Sequence, residues 1–183
     1  MVNRVIYLTG FMTSGKSTVG PILANVLGWN FFDLDKEIET REHKSVVEIF
    51  ETDGEKHFRR VETETLTHLS KLKDVVISLG GGTIASDINY EILKSTGKII
   101  YLKVSTDILY HRLKNKIDRP LFRDLTLGQS TEEDYKIKIN EILKTRSEYY
   151  EKADLVVCTD TTRIGITVDI IAKKIKALLY EEN

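Results

Sequence analysis

The 183-residue sequence has a single cysteine, Cys158, so no disulfide can form within the chain and a cysteine-bridged secretory scaffold is excluded. It has almost no net charge. Lys and Arg number 27 against 28 Asp and Glu, a balance of −1 that offers no basic field for gathering a polynucleotide, so nucleic acid is not an expected partner. No apolar run approaches the length of a membrane span, and the first strand-like segment starts within a few residues of Met1, leaving no room for a signal or transit peptide. A cytoplasmic monomer with no membrane contact is expected. The four histidines, His43, His57, His68 and His111, show no metal-ligand spacing and receive no role. Internal repeats and low-complexity segments are also absent. What remains, 41% hydrophobic and 30% charged residues, suits one globular domain over residues 1–183.

Short β-branched runs alternate with longer amphipathic stretches, the pattern of strands and crossover helices in a parallel sheet. Strands are expected at 4–9, 30–33, 74–79, 98–104 and 154–158, largely apolar as strands buried on both faces are. Cys158 is accordingly read as a buried filler. Helices are expected at 17–27, 36–43, 45–50, 54–72, 89–95, 106–115, 132–152 and 163–180. The fold class is α/β, three layers with a five-stranded parallel sheet between helices. The one long irregular stretch, 116–131, reads as a mobile lid.

The richest segment is Gly10-Phe11-Met12-Thr13-Ser14-Gly15-Lys16-Ser17, directly after Val5-Ile6-Tyr7-Leu8. A strand that ends in glycines and opens into a helix aims several backbone N–H groups into one concavity at the positive end of the helix dipole, which suits a nucleotide's phosphates. Lys16 is read as a solvent-facing cation reaching the outer phosphates, and the Ser17 hydroxyl as part of a Mg2+ shell.

In such a sheet the ligand lies outside the carboxyl ends of the strands. After the second strand stands Asp33-Leu34-Asp35: either aspartate alone could be a helix N-cap, but beside a phosphate loop one carboxylate suits the magnesium shell and the other a substrate hydroxyl. After the third come Gly80-Gly81-Gly82, either a flexible turn or a place where a ligand meets bare backbone. Glu55, Arg59 and Glu62 share one face of a helix, and spacing alone does not separate a solvated ion-pair face from a binding face.

Together these pieces resemble the shikimate kinase family, a branch of the phosphate-loop small-molecule kinases. The resemblance runs through G-F-M-x-S-G-K-S-T, F-x-D-x-D, F-R-x-x-E, G-G-G, Arg119-Pro120-Leu121, and Arg146 followed by Tyr150-Glu151 and Ala153-Asp154. It implies a fold like that of nucleoside-monophosphate kinases and transfer of the ATP γ-phosphoryl group to the 3-hydroxyl of shikimate, on the route to chorismate and the aromatic amino acids. By motif match, Thr13, Ser14, Gly15, Lys16, Ser17, Thr18, Arg112 and Arg119 would bind ATP, with Arg112 against the adenine. Lys16 and Arg119 would stabilise the transferring charge. Ser17 would hold Mg2+, with Asp33 in its outer shell through water. Asp35 would hold the substrate hydroxyls and accept a proton, Arg59 and Arg146 would grip the carboxylate, Glu62 would orient Arg59, and Gly81 and Gly82 would offer backbone contacts. The chain departs from the family pattern at Thr13, where glycine is usual, at Phe122, where a smaller aliphatic is usual, and at Pro21, which should kink the helix or give it a 3₁₀ start.

Two other readings compete. Asn115-Lys116-Ile117-Asp118 spells the guanine-reading N-K-x-D of GTP-binding switch proteins, but an amphipathic stretch parts it from the preceding strand and no D-x-x-G follows a strand. A kinase of the same fold acting on gluconate or a nucleoside monophosphate is closer. Two arginines for a carboxylate and an aspartate for hydroxyls favour a hydroxylated carboxylic acid.

Overall fold

The computed structural model describes residues 4–116, 120–128, 130–160 and 163–180. Five strands, β1 (Val5–Thr9), β2 (Asn30–Asp33), β3 (Val75–Ser78), β4 (Lys98–Lys103) and β5 (Leu155–Cys158), form an all-parallel sheet in the order β2-β3-β1-β4-β5. Strand β1 takes the centre, where both faces are covered, and every residue of it is buried. Its side chains alternate between two cores, as the strand repeat of two requires. Val5 and Tyr7 join Val75, Ile77 and Ile99 under α2 (Leu34–Glu42), α4 (Gly54–Leu69) and α5 (Asp87–Thr96). Ile6 and Leu8 join Val76, Ile100 and Leu102 under α1 (Lys16–Leu27) and α9 (Ile164–Tyr180). The three layers and parallel sheet expected from the sequence are those observed.

Two expectations need correction. Cys158 is exposed, as is Val156. The strand order places β5 at the sheet edge, where Leu155 and Val157 pack inward while the alternate residues face outward. Within the stretch 116–131, residues 120–127 are also more regular than their mixed charge suggests. Residues Pro120–Phe122 form a 3₁₀ turn that runs into α7 (Arg123–Leu127). Phe122 is fully buried, edge-on to Phe11 at 6.1 Å and stacked on Tyr135 at 6.0 Å. It sits in a third cluster with Leu109 and Leu113 of α6 (Thr106–Leu113) and Ile139 of α8 (Glu132–Glu151). One aromatic side chain with a pocket to fill outweighs the polar composition around it.

Pro21 lies inside α1, which runs through it. The first turn closes with an i→i−3 bond from the Thr18 N–H to the Gly15 carbonyl, 3.0 Å, beside the i→i−4 bond from Val19, 2.8 Å. Helix α3 (Val46–Thr52) starts with a capping box between Ser45 and Glu48.

Strand register sets the site. Leu8, Ser78 and Asp33 lie side by side in neighbouring strands, so the segments that follow them, the phosphate loop, the Gly80–Gly82 turn and Asp35, emerge next to one another at the carboxyl edge of the sheet.

Candidate active site

The phosphate loop is held by two glycines with positive φ. Gly10 (φ 147) leaves no room for a β-carbon, which would lie 2.7 Å from the Leu102 carbonyl oxygen, and Gly15 (φ 106) occupies the N-cap of α1. No side-chain hydrogen bond among the described residues caps α1, and a helix start of this kind suits an anion. Lys16 is not solvent-facing. It is 9% exposed, and its Nζ donates to the carbonyls of Gly10 at 2.8 Å and Phe11 at 3.1 Å, because the loop folds its own acceptors around the ammonium.

Thr13 adopts the left-handed region (φ 62) despite its β-branch, and its carbonyl accepts a 2.9 Å hydrogen bond from Arg112 Nη1. Arg112, 99 residues away in sequence, is thereby brought against the loop. The hydroxyls of Thr13 and Ser14 are buried with no hydrogen-bond partner among the described residues. A 280 Å³ cavity is lined by Thr13, Ser14, Gly15, Thr18, Val19, Arg112, Thr159, Ile164 and Thr167. Ser17 sits in the first turn of α1 with its side chain exposed.

The other half of the site is built on Gly80-Gly81-Gly82, and side chains crowd all three positions, Gly80 most. A β-carbon on Gly80 would lie 2.7 Å from Asp35 Oδ1, one on Gly81 3.3 Å from Arg146 Nη1, and one on Gly82 3.3 Å from Arg59 Nη2. Three consecutive residues each face one charged side chain, and the Gly81 position also lies 4.0 Å from the Met12 backbone nitrogen of the phosphate loop. The Gly81 carbonyl accepts from Arg146 Nη1 at 2.7 Å and from the Tyr150 hydroxyl at 3.1 Å. Burial raises the Tyr150 pKa above the ordinary tyrosine value, so the phenol remains a donor.

Helix α4 supplies Arg59 and Glu62. Glu62 is 1% exposed and accepts from Arg59 Nη1 at 2.9 Å, whereas Glu55, 67% exposed, accepts from Nε and Nη2 of the same guanidinium at 3.3 Å. Burial pulls the Arg59 pKa down, but Glu62 and Glu55 outweigh it and leave the guanidinium above its ordinary value. The face is therefore half solvated and half buried. A 420 Å³ cleft lies between α4, the turn and α8, lined in part by Arg59, Glu62, Gly82, Asn89 and Arg146.

Asp33 is the N-cap of α2, its Oδ1 accepting from the Lys36 N–H at 3.4 Å, so Asp35 falls in the first helical turn. Burial first, then the carboxylates of Asp33 and Glu62, push Asp35 up to about 6, against the opposing pull of the Lys16 ammonium. An aspartate half-buried beside other carboxylates and within the field of the loop lysine is poised to exchange a proton.

Of the residues expected from sequence, only Arg119 lies outside the described residues. The guanine-reading tetrapeptide falls partly there too: Asn115 and Lys116 follow α6, and Ile117 and Asp118 are not described. Sequence reading missed Thr83, Asn89, Thr159 and Thr167. Thr83 directly follows the glycines and carried a positional signal; Asn89 had none, since only the packed structure shows a polar residue on the inner face of α5.

The shikimate kinase family model matches residues 12–178. The chain belongs to the shikimate kinase family. It is 45% identical to the shikimate kinase of Chlorobaculum parvum over 174 residues, covering 95% of this chain and 93% of that protein. Among solved structures, shikimate kinase from Bacteroides thetaiotaomicron superposes with a TM-score of 0.84 at 32% identity, covering 94% of this chain and 98% of that one. The Acinetobacter baumannii shikimate kinase, solved with shikimate, gives 0.81 at 32% identity over 99% of this chain and 95% of that one. The chain is an ATP-dependent kinase of that family, and the phosphate-loop fold is the one the sequence resemblance implied.

Proposed function

We propose that the phosphate loop and the cleft on Gly80–Gly82 are the donor and acceptor halves of one active site. The observation that carries this is the facing of Asp35, Arg146 and Arg59 onto three consecutive glycines beside the Met12 N–H. A small acid laid on that turn has two guanidiniums for its carboxylate at one end and a carboxylate for its hydroxyls toward the loop. Arg59 and Arg146 hold the shikimate carboxylate, Glu62 fixes Arg59, and Gly81 and Gly82 present backbone. Asp35 orients the attacking hydroxyl and takes its proton as the phosphoryl group transfers, and Lys16 and Arg119 stabilise the charge of that group. Thr13, Ser14, Gly15, Ser17 and Thr18 surround the phosphates, where the buried Thr13 and Ser14 hydroxyls find acceptors, and Arg112 lies at the adenine.

No cluster of three or more His, Cys, Asp or Glu side chains able to hold a metal occurs among the described residues. The exposed Ser17 hydroxyl and the Asp33 carboxylate are hard oxygen donors that fit Mg2+ arriving with the nucleotide, Ser17 directly and Asp33 through water. Bound there, Mg2+ would neutralise phosphate charge.

The whole chain is proposed to work as one domain, a cytoplasmic monomer without nucleic-acid or membrane partners; no helix among the described residues is long and apolar enough to cross a membrane. Residues 116–131 are proposed to close over bound nucleotide, with the buried Phe122 as the pivot. Amide exchange across 116–131 is expected to slow when a non-hydrolysable ATP analogue and shikimate bind, and equal protection in both states rules the closure out.

Coupled ADP-release assays on Arg146→Ala test the acceptor half. The KM for shikimate is expected to rise by roughly 10- to 100-fold, in line with loss of a charged hydrogen bond, with the KM for ATP unchanged. A rise in the ATP KM with an unchanged shikimate KM would assign Arg146 to the nucleotide.

A further inference from the structure

The turn that carries the glycines is tied to α4 by a set of three hydrogen bonds, two buried and one half-buried. The Thr83 hydroxyl donates to Glu62 Oε1 at 2.7 Å, and the Thr83 carbonyl accepts from Asn89 Nδ2 at 3.1 Å. Asn89 Oδ1 in turn accepts from the hydroxyl of Thr63, the neighbour of Glu62 on α4, at 2.8 Å. Thr83 is fully buried, and Asn89 and Glu62 are 1% exposed.

Glu62 divides its two oxygens: Oε1 accepts from the Thr83 hydroxyl and Oε2 accepts from Arg59 Nη1. A buried carboxylate keeps its charge and orientation only while its lone pairs are met. Arg59 has a second partner, the exposed Glu55, which accepts from Nε and Nη2 at 3.3 Å and also lines the cleft. Glu62, fixed through its other oxygen, is therefore the buried anchor that holds the guanidinium over Gly82.

We propose that Thr83 is a positioning residue for recognition of the substrate carboxylate: its hydroxyl fixes Glu62, and Glu62 holds Arg59 over Gly82. The inference rests on the reading that Arg59 binds that carboxylate. It makes selectivity for an acid depend on a neutral hydroxyl that touches no ligand, with Asn89 fixing the backbone from which that hydroxyl projects.

The test compares shikimate with its methyl ester, which lacks the negative charge, in wild type and in the variants Thr83→Val, Thr83→Ser and Arg59→Ala. Thr83→Val is expected to raise the KM for shikimate about tenfold, the loss of roughly one well-made hydrogen bond to a charged group, with kcat changed less than about threefold. The KM for ATP and the KM for the ester stay at wild-type values, and Thr83→Ser restores shikimate. Thr83→Ala replaces Thr83→Val if the latter does not fold. An unchanged shikimate KM in the folded variant overturns the proposal, as does an equal rise for acid and ester, which reports a distorted cleft. If Arg59→Ala raises the KM for shikimate but not for the ester while Thr83→Val moves neither, only this inference fails. If Arg59→Ala does not discriminate acid from ester, the reading of Arg59 itself fails.

Discussion

Asp35→Asn is expected to lower turnover by on the order of a hundredfold or more while making the unliganded protein more stable at pH 7. The two effects have one origin. Folded Asp35 keeps its proton to about pH 6, against an ordinary value of 3.8, because burial and neighbouring carboxylates disfavour its charge. Between those values the fold binds more protons than the unfolded chain does, so stability falls as pH rises through the window and the full cost stands at pH 7. That cost is at most about 3 kcal/mol. Asparagine keeps the shape that Gly80 accommodates and cannot ionise, so a gain of about 1–2 kcal/mol, roughly 2–8 °C in Tm, is expected at pH 7 and none at pH 4. In the wild type, kcat/KM should fall below about pH 6 as Asp35 takes up its proton, a limb absent from the residual activity of the variant. A lower Tm at pH 7, or more than about a tenth of the turnover retained, would remove Asp35 from the role of base.

Lys16→Met carries the second large effect. Loss of the charge that faces the transferring group is expected to reduce turnover by about a thousandfold or more, several kcal/mol of transition-state stabilisation. Since the ammonium is buried against the carbonyls of Gly10 and Phe11, the variant should also lose about 1–3 kcal/mol of stability, read from urea denaturation. A fully stable variant would mean that those carbonyl contacts contribute nothing. Retention of more than about a tenth of the turnover would contradict the catalytic role.

The alternating strand and helix periods, the glycine spacing of the phosphate loop and the aspartates after β2 were all legible because each is a local property: a run of β-branched residues, a turn that tolerates positive φ, a carboxylate at a helix start. Local sequence misjudged Lys16, whose burial depends on where the carbonyls of its own loop turn, and Cys158, whose exposure depends on β5 being outermost. It also misjudged 120–127, where Phe122 answers to residues of α6 and α8 and not to its charged neighbours.

The sequence by itself determined the layers, the parallel sheet, the phosphate loop and the family. Only the tertiary structure showed what Gly80, Gly81 and Gly82 make room for. Each gives up its side chain to a charged group from α2, α8 or α4, and those helices lie far apart along the chain. It alone also buried Glu62 and left Glu55 in water on the same helical face, because desolvation depends on what packs against a helix and leaves no trace in residue spacing.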